Sequence, residues 1–79
     1  MSIKVDYFGL VADLTSCKEE VIAEDGTFTV FSLRSLLEKK YPGLKNINYS
    51  VAVNLEMISK DMPINDTDQI ALLPPFAGG

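Results

Sequence analysis

The strongest local pattern in the sequence is one amphipathic helix. Apolar residues recur every three or four positions after Thr29, whose hydroxyl group suits a helix N-cap. Pro42 disfavours helical geometry in the residue before it, and Gly43 favours a terminating turn, so the helix should end near residue 41. The pattern predicts a single main helix with one buried face. That face consists of Val30, Leu33, Leu36, Leu37 and Tyr41.

Short strand patterns surround this helix on both sides. Apolar and polar residues alternate in residues 2–8 and again in residues 49–55, where Leu55 falls on the same face as Tyr49. Residues 69–73 are almost continuously apolar, which is typical of a central strand buried on both faces. The order of elements predicts an α+β domain of the β-grasp class, with a mixed sheet of four to five strands and one main helix packed across it. The remaining predictions are a short helix or turn at residues 10–15, strands at 20–23 and 57–58, and a turn at residues 54–56 before the last of these strands.

Size and charge narrow the possible partners. The chain has 79 residues, enough for one domain, and its formal charge of −4 would repel nucleic acid. Its one cysteine, Cys17, cannot form an internal disulfide, which favours a reducing compartment such as the cytoplasm. The first residues are charged where a signal peptide would be apolar, and no apolar run approaches the roughly 20 residues of a membrane span. We therefore expect a cytoplasmic protein without nucleic-acid or membrane partners.

The C-terminal residues form a separate segment. Prolines cannot continue the hydrogen bonding of a central strand, so Pro74 and Pro75 should direct the chain out of the sheet as a stiff, extended segment. Ala77, Gly78 and Gly79 then form a thin thread that a narrow channel could accept. We predict a β-grasp domain at residues 1–73 and an extended tail at residues 74–79.

The tip of this tail is a carboxylate beside a residue of minimal bulk. A carboxylate is a poor electrophile, so it would need activation from outside, for example adenylation by ATP followed by replacement of the adenylate with sulfur. An isolated Gly-Gly end is more often a frayed terminus or an expression artefact. Here it follows directly on a predicted buried strand and a proline pair, and this context favours a functional tail.

Other chemical groups give weaker signals. Cys17 has no second cysteine and no histidine to act as a base, so an inert thiol is predicted. Met57 and Met62 are predicted to be core or edge residues. No zinc spacing or phosphate-binding glycine loop occurs, and no metal site is predicted. The acidic clusters are predicted to be solvated surface, and they comprise Glu19, Glu20, Glu24, Asp25, Asp66 and Asp68.

Residues 73–79, which read LPPFAGG, resemble the C-terminus of the small subunit of molybdopterin synthase, a ubiquitin-like sulfur carrier. Residues 3–9, 33–43 and 51–54 resemble the same family in order and spacing, so the likeness covers essentially the whole chain. A Gly-Gly end alone is shared with the thiamine-pathway sulfur carrier and with ubiquitin-like modifiers. The two prolines before it resemble the molybdopterin branch more closely. Phe76 departs from the family, which has a smaller aliphatic residue there.

The resemblance implies a specific role for the tail. An adenylating enzyme related to ubiquitin-activating enzymes would activate Gly79, and a sulfurtransferase system would convert it to a thiocarboxylate. The sulfur would pass to cyclic pyranopterin monophosphate in the large subunit of a heterotetramer, to make molybdopterin. This chain would bind no cofactor, and the activating partner would use ATP. The implied site comprises Gly79 as sulfur donor, Gly78 and Ala77 as the inserted thread, and Phe76, Pro75 and Pro74 as docking residues.

Three other functions stay open from the sequence. The first is a sulfur carrier for thiazole synthesis, and the second is a modifier joined through Gly79 to lysine amines of other proteins. The third is a passive β-grasp binding module. Higher-mass conjugates in cells would indicate the modifier. A passive module would show no change at its C-terminus.

Overall fold

The computed structural model describes residues 2–75, so the predicted tail residues Phe76, Ala77, Gly78 and Gly79 lie outside the described part. The described residues form seven short strands, two α-helices and one 3-10 helix. In chain order these are β1 (Ser2–Tyr7), α1 (Gly9–Thr15), β2 (Glu19–Ala23), β3 (Phe28–Thr29), α2 (Val30–Lys40), the 3-10 helix (Pro42–Asn46), β4 (Ser50–Val53), β5 (Glu56–Ile58), β6 (Pro63–Ile64) and β7 (Ile70–Leu73).

Five of the strands form one mixed sheet in the order β2-β1-β7-β4-β5. Strand β7 runs parallel to β1 and antiparallel to β4, so the last strand lies at the centre of the sheet, as predicted. Strands β3 and β6 form a separate antiparallel pair that the sequence patterns did not indicate. The mixed sheet and the single long helix confirm the predicted β-grasp architecture. Within residues 2–75, neither α-helix has the length and apolar character needed to cross a membrane.

Helix α2 forms where its sequence signals place it. The Thr29 hydroxyl group accepts a hydrogen bond from the backbone N–H of Ser32 at 3.2 Å, which satisfies one of the unpaired donors at the helix N-terminus. At the other end, the backbone N–H of Tyr41 donates to the carbonyl of Leu37 at 2.7 Å, and Pro42 begins the 3-10 helix. The core-facing positions of α2 are fully buried, and they are Val30, Leu33 and Leu37.

The period-two alternation of the strands divides the sheet into two faces. We call the face that packs with α2 in the core the inner face, and the opposite one the outer face. Register pairs Val5 with Ile70 and Tyr7 with Leu72, so these side chains share the inner face. The inner face supplies most of the buried core, namely Ile3, Val5, Tyr7, Ile22, Val51, Val53, Ile70 and Leu72.

Two predictions about individual strands are wrong. The predicted strand alternation does not continue to residue 55, because β4 ends at Val53 and the chain reverses over Asn54 and Leu55 into β5, within the predicted turn at residues 54–56. The alternation therefore stops before Leu55, which is 90% exposed instead of sharing the buried face with Tyr49. Strand β7 is also not buried on both faces, since α2 covers only the inner one and leaves Leu73 partly exposed on the outer face.

Glu20 is not the solvated surface carboxylate that the sequence predicted. Register opposite Val5 places it on the inner face, where its side chain is 15% exposed. The hydroxyl groups of Tyr7 and Tyr41 donate to its Oε1 at 2.9 and 2.8 Å, and Lys40 donates to Oε2. Burial alone would raise the pKa of Glu20, but the hydrogen bonds from Lys40 and the two tyrosines outweigh it and lower the pKa below the ordinary value. Glu20 therefore ties the C-terminal end of α2 to the sheet edge.

The substitution Glu20→Gln should destabilise the fold at neutral pH by about 1–3 kcal/mol, because it removes the charged acceptor from two tyrosine hydroxyl groups and from the half-exposed ammonium group of Lys40. Since folding lowers the pKa of Glu20, this stabilisation is fully present above the ordinary pKa of 4.5 and is lost as the pH falls through the folded-state value. The difference between the wild type and Glu20→Gln in urea unfolding should thus shrink at acid pH.

The neighbouring residue provides the control for this measurement. Glu19 forms an ion pair with Lys4 at 2.9 Å, but both side chains are more than half exposed. Such a surface pair contributes about 0–1 kcal/mol, so Glu19→Gln should leave the free energy of unfolding nearly unchanged. Equal effects of the two substitutions would contradict the role assigned to Glu20.

Candidate functional site

The tail begins at a tightly packed junction between β7 and the end of β1. The backbone N–H of Phe8 donates to the carbonyl of Leu72 at 3.2 Å, which continues the β1–β7 pairing to the last residues of the sheet. Gly9 follows with a φ of +54°, and a Cβ atom there would lie 3.0 Å from Cγ of Pro74. Glycine is required at this position both by its backbone conformation and by the close approach of the proline ring. The junction therefore fixes where Pro74 lies.

The two prolines differ in their surroundings. Pro74 is partly buried and lies close to Gly9, the first residue of α1, whereas Pro75 is exposed. The described chain thus stays in contact with the domain through Pro74. The other predicted site residues, Phe76 to Gly79, lie beyond the described range.

Beside this junction the outer face of the sheet forms an apolar groove of about 440 Å³. Phe8 and Met57 are each about half exposed, and Leu55 is almost fully exposed. Asp6 and Gln69 also line the groove and give it a polar border. The buried Ile70 of the inner face also reaches the groove. We call the remaining apolar lining the tail-exit face, and it comprises Phe8, Ala52, Leu55, Met57, Ala71 and Leu73.

The strand register explains the shape of this groove. Ala71 lies at the centre of the sheet, directly opposite Ala52 of β4, and Ala52 in turn lies opposite Met57 of β5. The two alanines make a shallow floor, and the larger side chains of the tail-exit face surround it. Monomeric domains rarely leave such a contiguous apolar surface open unless it binds another molecule.

The other half of the outer face has a different character. Strands β1 and β2 carry the exposed ion pair of Lys4 and Glu19 there, and register places Val21 opposite Lys4. Val21 is 64% exposed but does not line the apolar groove. The apolar surface is therefore confined to the half of the sheet from which the tail departs.

The turn between β4 and β5 holds one wall of the groove in an unusual conformation. Both turn residues have positive φ values, +52° at Asn54 and +71° at Leu55. Two-residue hairpin turns of this kind favour Asn followed by Gly, because a side chain in the left-handed region costs about 1–2 kcal/mol. Asn54 follows that preference, and Leu55 does not.

A hydrogen-bond network fixes this turn to the two residues that precede β7. The side-chain oxygen of Asn54 accepts from the backbone N–H of Gln69 at 2.9 Å, and its amide nitrogen donates to Asp68 at 3.0 Å. The backbone N–H of Asn54 also donates to the carbonyl of Gln69 at 2.8 Å. Hydrogen bonds from the backbone of Asn65 and the side chain of Asn54 lower the pKa of Asp68, so its carboxylate stays charged at neutral pH.

The sequence indicated a docking role for none of the six residues of the tail-exit face, of which Phe8, Leu55 and Met57 are the most exposed. The sequence did contain a signal for Phe8. In the alternation of residues 2–8, Phe8 falls on the same face as the polar residues Lys4 and Asp6. Leu55 was assigned to the wrong face, and Met57 was predicted as core or edge without a docking role. Cys17 is partly buried against the core, and its thiol lies 3.7 Å from the Thr15 hydroxyl oxygen. Across residues 2–75, acidic, cysteine and histidine side chains form no group suited to a metal ion.

Both the sequence and the fold of this chain have counterparts among known proteins. A family model described as the ThiS family matches residues 5–79. The chain belongs to the ThiS family. As a ThiS-family member it is also 32% identical over 83 residues to the molybdopterin synthase sulfur carrier subunit of Mycobacterium tuberculosis (strain ATCC 25618 / H37Rv), covering 100% of this chain and 99% of that relative.

Two solved structures show how the ThiS-family fold recurs. A chain of the complex of subunits 1 and 2 of molybdopterin-converting factor from Helicobacter pylori 26695 matches with a TM-score of 0.71 and 27% identity over 100% of both chains. SAMP1 of Haloferax volcanii, a small archaeal modifier protein, matches with a TM-score of 0.81 and 22% identity over 100% of both chains. At that identity the second likeness concerns the fold alone. The family resemblance and the ubiquitin-like β-grasp fold expected from the sequence are thereby confirmed.

Proposed function

We propose that this protein is the sulfur carrier subunit of a molybdopterin synthase. The observation that carries the proposal is the end-to-end similarity to a sulfur carrier subunit of that enzyme, which extends through the Gly-Gly end. The apolar tail-exit face supports it, because a carrier must dock on each partner that loads or unloads it. The chain offers no histidine to act as a base, so the catalytic groups are expected on those partners.

The proposed chemistry takes place at the carboxylate of Gly79. One carboxylate oxygen attacks the α-phosphorus of ATP in the active site of an adenylating enzyme, and pyrophosphate leaves. The persulfide sulfur of a sulfurtransferase then attacks the carbonyl carbon of Gly79 and AMP leaves, and a thiol reductant cleaves the resulting acyl disulfide to the thiocarboxylate. In the large subunit that sulfur is transferred to cyclic pyranopterin monophosphate, and two such transfers supply the two sulfur atoms of the dithiolene of molybdopterin. Water supplies the oxygen that replaces the sulfur at Gly79, so the carrier returns to its carboxylate form and can be loaded again.

Each part of the chain has a distinct task in this scheme. Gly79 holds the sulfur, and Gly78 and Ala77 provide the narrow segment that enters the partner's active site. Phe76, Pro75 and Pro74 connect that segment to the domain and contact the partner. The tail-exit face would dock on the large subunit, with the Gly9–Pro74 contact setting the position from which the tail starts. ATP is used by the activating enzyme, and this chain holds no cofactor.

The main rival is a sulfur carrier for thiazole synthesis, which would use the same Gly-Gly chemistry. The full-length similarity to a molybdopterin synthase subunit favours the pterin pathway. The modifier function would use the same activated Gly79 but transfer the chain itself to a lysine amine.

Reconstitution with purified partners tests the proposal. The loaded protein should bind the large subunit of a molybdopterin synthase and convert cyclic pyranopterin monophosphate to molybdopterin, detected by the fluorescence of its oxidised pterin product. The same loaded protein should not support thiazole formation by a thiazole synthase. Thiazole formation without pterin conversion would transfer the assignment to the rival pathway, and conjugates with lysine amines would indicate the modifier.

A further inference from the structure

Neither backbone conformation nor packing within the domain explains why a leucine occupies the β4–β5 turn. Leu55 occupies a left-handed conformation that disfavours any side chain with a Cβ atom, and it buries only a tenth of its surface. Glycine or asparagine would fit this backbone better. Leucine is thus unfavourable for the backbone at this position and gains no packing within the domain. Such a residue indicates a role in contacts with another molecule.

The surroundings of Leu55 hold it in a fixed position. Asn54 is bound through its side chain to Gln69 and Asp68, and through its backbone to Gln69, so the turn is attached to the two residues that lead directly into the central strand β7. Strand β7 is the strand that leads into the tail. Strand β7 and the residues before it therefore position both the start of the tail and Leu55 at the edge of the groove.

We propose that Leu55 is an anchor residue that inserts into an apolar pocket of the large subunit and helps the carrier to select that partner. The proposal rests on the proposed function, since it places the large subunit on the tail-exit face. An apolar side chain that is exposed, held in place and continuous with a larger apolar surface has the properties of an interface anchor. Binding through Leu55 should lose little conformational entropy, because the backbone of the turn is already ordered in the free protein.

The charges around the anchor define the chemistry of the partner's pocket. Glu56 follows Leu55 and is exposed, Asp68 is held beside the turn as a charged carboxylate, and Asp6 lines the groove. These acids belong to a chain with a net charge of −4. The complementary surface is an apolar pocket bordered by lysine or arginine side chains, which would speed association and disfavour acidic partners.

The substitution Leu55→Asn separates binding from folding. Asparagine tolerates the left-handed backbone but removes the apolar side chain, so the thermal unfolding midpoint should stay the same or rise. Affinity for the large subunit, measured by calorimetry with the full chain, should fall by about tenfold or more. The matched control is Val21→Thr, which changes an exposed apolar side chain outside the groove and should leave affinity within about twofold of the wild type.

The outcomes distinguish this inference from the function on which it rests. Tight binding of the large subunit by both the wild type and Leu55→Asn would overturn the anchor role and leave the sulfur-carrier function standing. Equal losses of affinity in Leu55→Asn and Val21→Thr would also overturn it, because the effect would then not be specific to the turn. Failure of the wild-type chain to bind the large subunit at all would contradict the proposed function and the anchor together.

Discussion

Removal of Gly79 should abolish sulfur transfer to the pterin and leave the fold unchanged. One residue of extended chain spans about 3.3–3.6 Å, so the shortened tail would end that far from the reacting atoms. A displacement of about 1 Å at a reacting centre can cost about 100-fold in rate, and we therefore expect a loss of more than about 100-fold. The measurement is molybdopterin formation in single turnover by the loaded carrier and the large subunit.

The controls for this deletion address folding and tail length separately. The described residues 2–75 contain the buried core, so the deleted chain should have the same urea midpoint as the wild type. A chain extended by one alanine beyond Gly79 should be inactive too, because its terminal carboxylate is displaced in the opposite direction. Retention of more than about a tenth of the wild-type rate by either variant would contradict the requirement for Gly79 at the terminus.

Leu72→Ala should mainly lower stability and Leu73→Ala should mainly lower affinity for the partner, although the two residues are adjacent on β7. Leu72 is 1% exposed on the inner face, so its truncation should destabilise the fold by about 2–5 kcal/mol. This is a large fraction of the roughly 5–15 kcal/mol that stabilises a typical domain, and a small domain lies toward the lower end. Urea unfolding of Leu72→Ala should show a strongly reduced midpoint.

Leu73→Ala should instead affect partner binding. Leu73 is partly exposed and lines the tail-exit face, so its loss should change the free energy of unfolding by no more than about 1 kcal/mol. Affinity for the large subunit should fall by about fivefold to 30-fold, which corresponds to about 1–2 kcal/mol. A pair of variants with equal stability and equal affinity would contradict the division of the sheet into a core face and a docking face.

The sequence predicted the fold well because its local signals agree with one another. The Thr29 cap, the apolar stripe and Pro42 all indicate the same helix, and the structure places α2 at Val30–Lys40. The central position of β7 followed from its apolar run. The short pair of β3 and β6 was missed because two residues are too few to show a period.

The docking surface was harder to predict from the sequence. Period-two patterns assign residues to faces only while the strand continues, and the reversal at Asn54 ended the pattern before Leu55. The exposed face of β7 depends on how much of the sheet α2 covers, which is a tertiary property. Glu20 was misassigned for a similar reason, because its three donors come from β1 and from the end of α2.

The central claim is that Gly79 itself carries the sulfur, and mass spectrometry of the C-terminal peptide tests it most directly. The protein is incubated with the adenylating enzyme, ATP and a sulfurtransferase with its sulfur donor, and the peptide is then fragmented. The account predicts replacement of one oxygen by sulfur at the carboxyl group of Gly79, both in the wild type and in Cys17→Ser. Sulfur found on Cys17 instead, or no sulfur at Gly79 under conditions that load a known carrier, would contradict it.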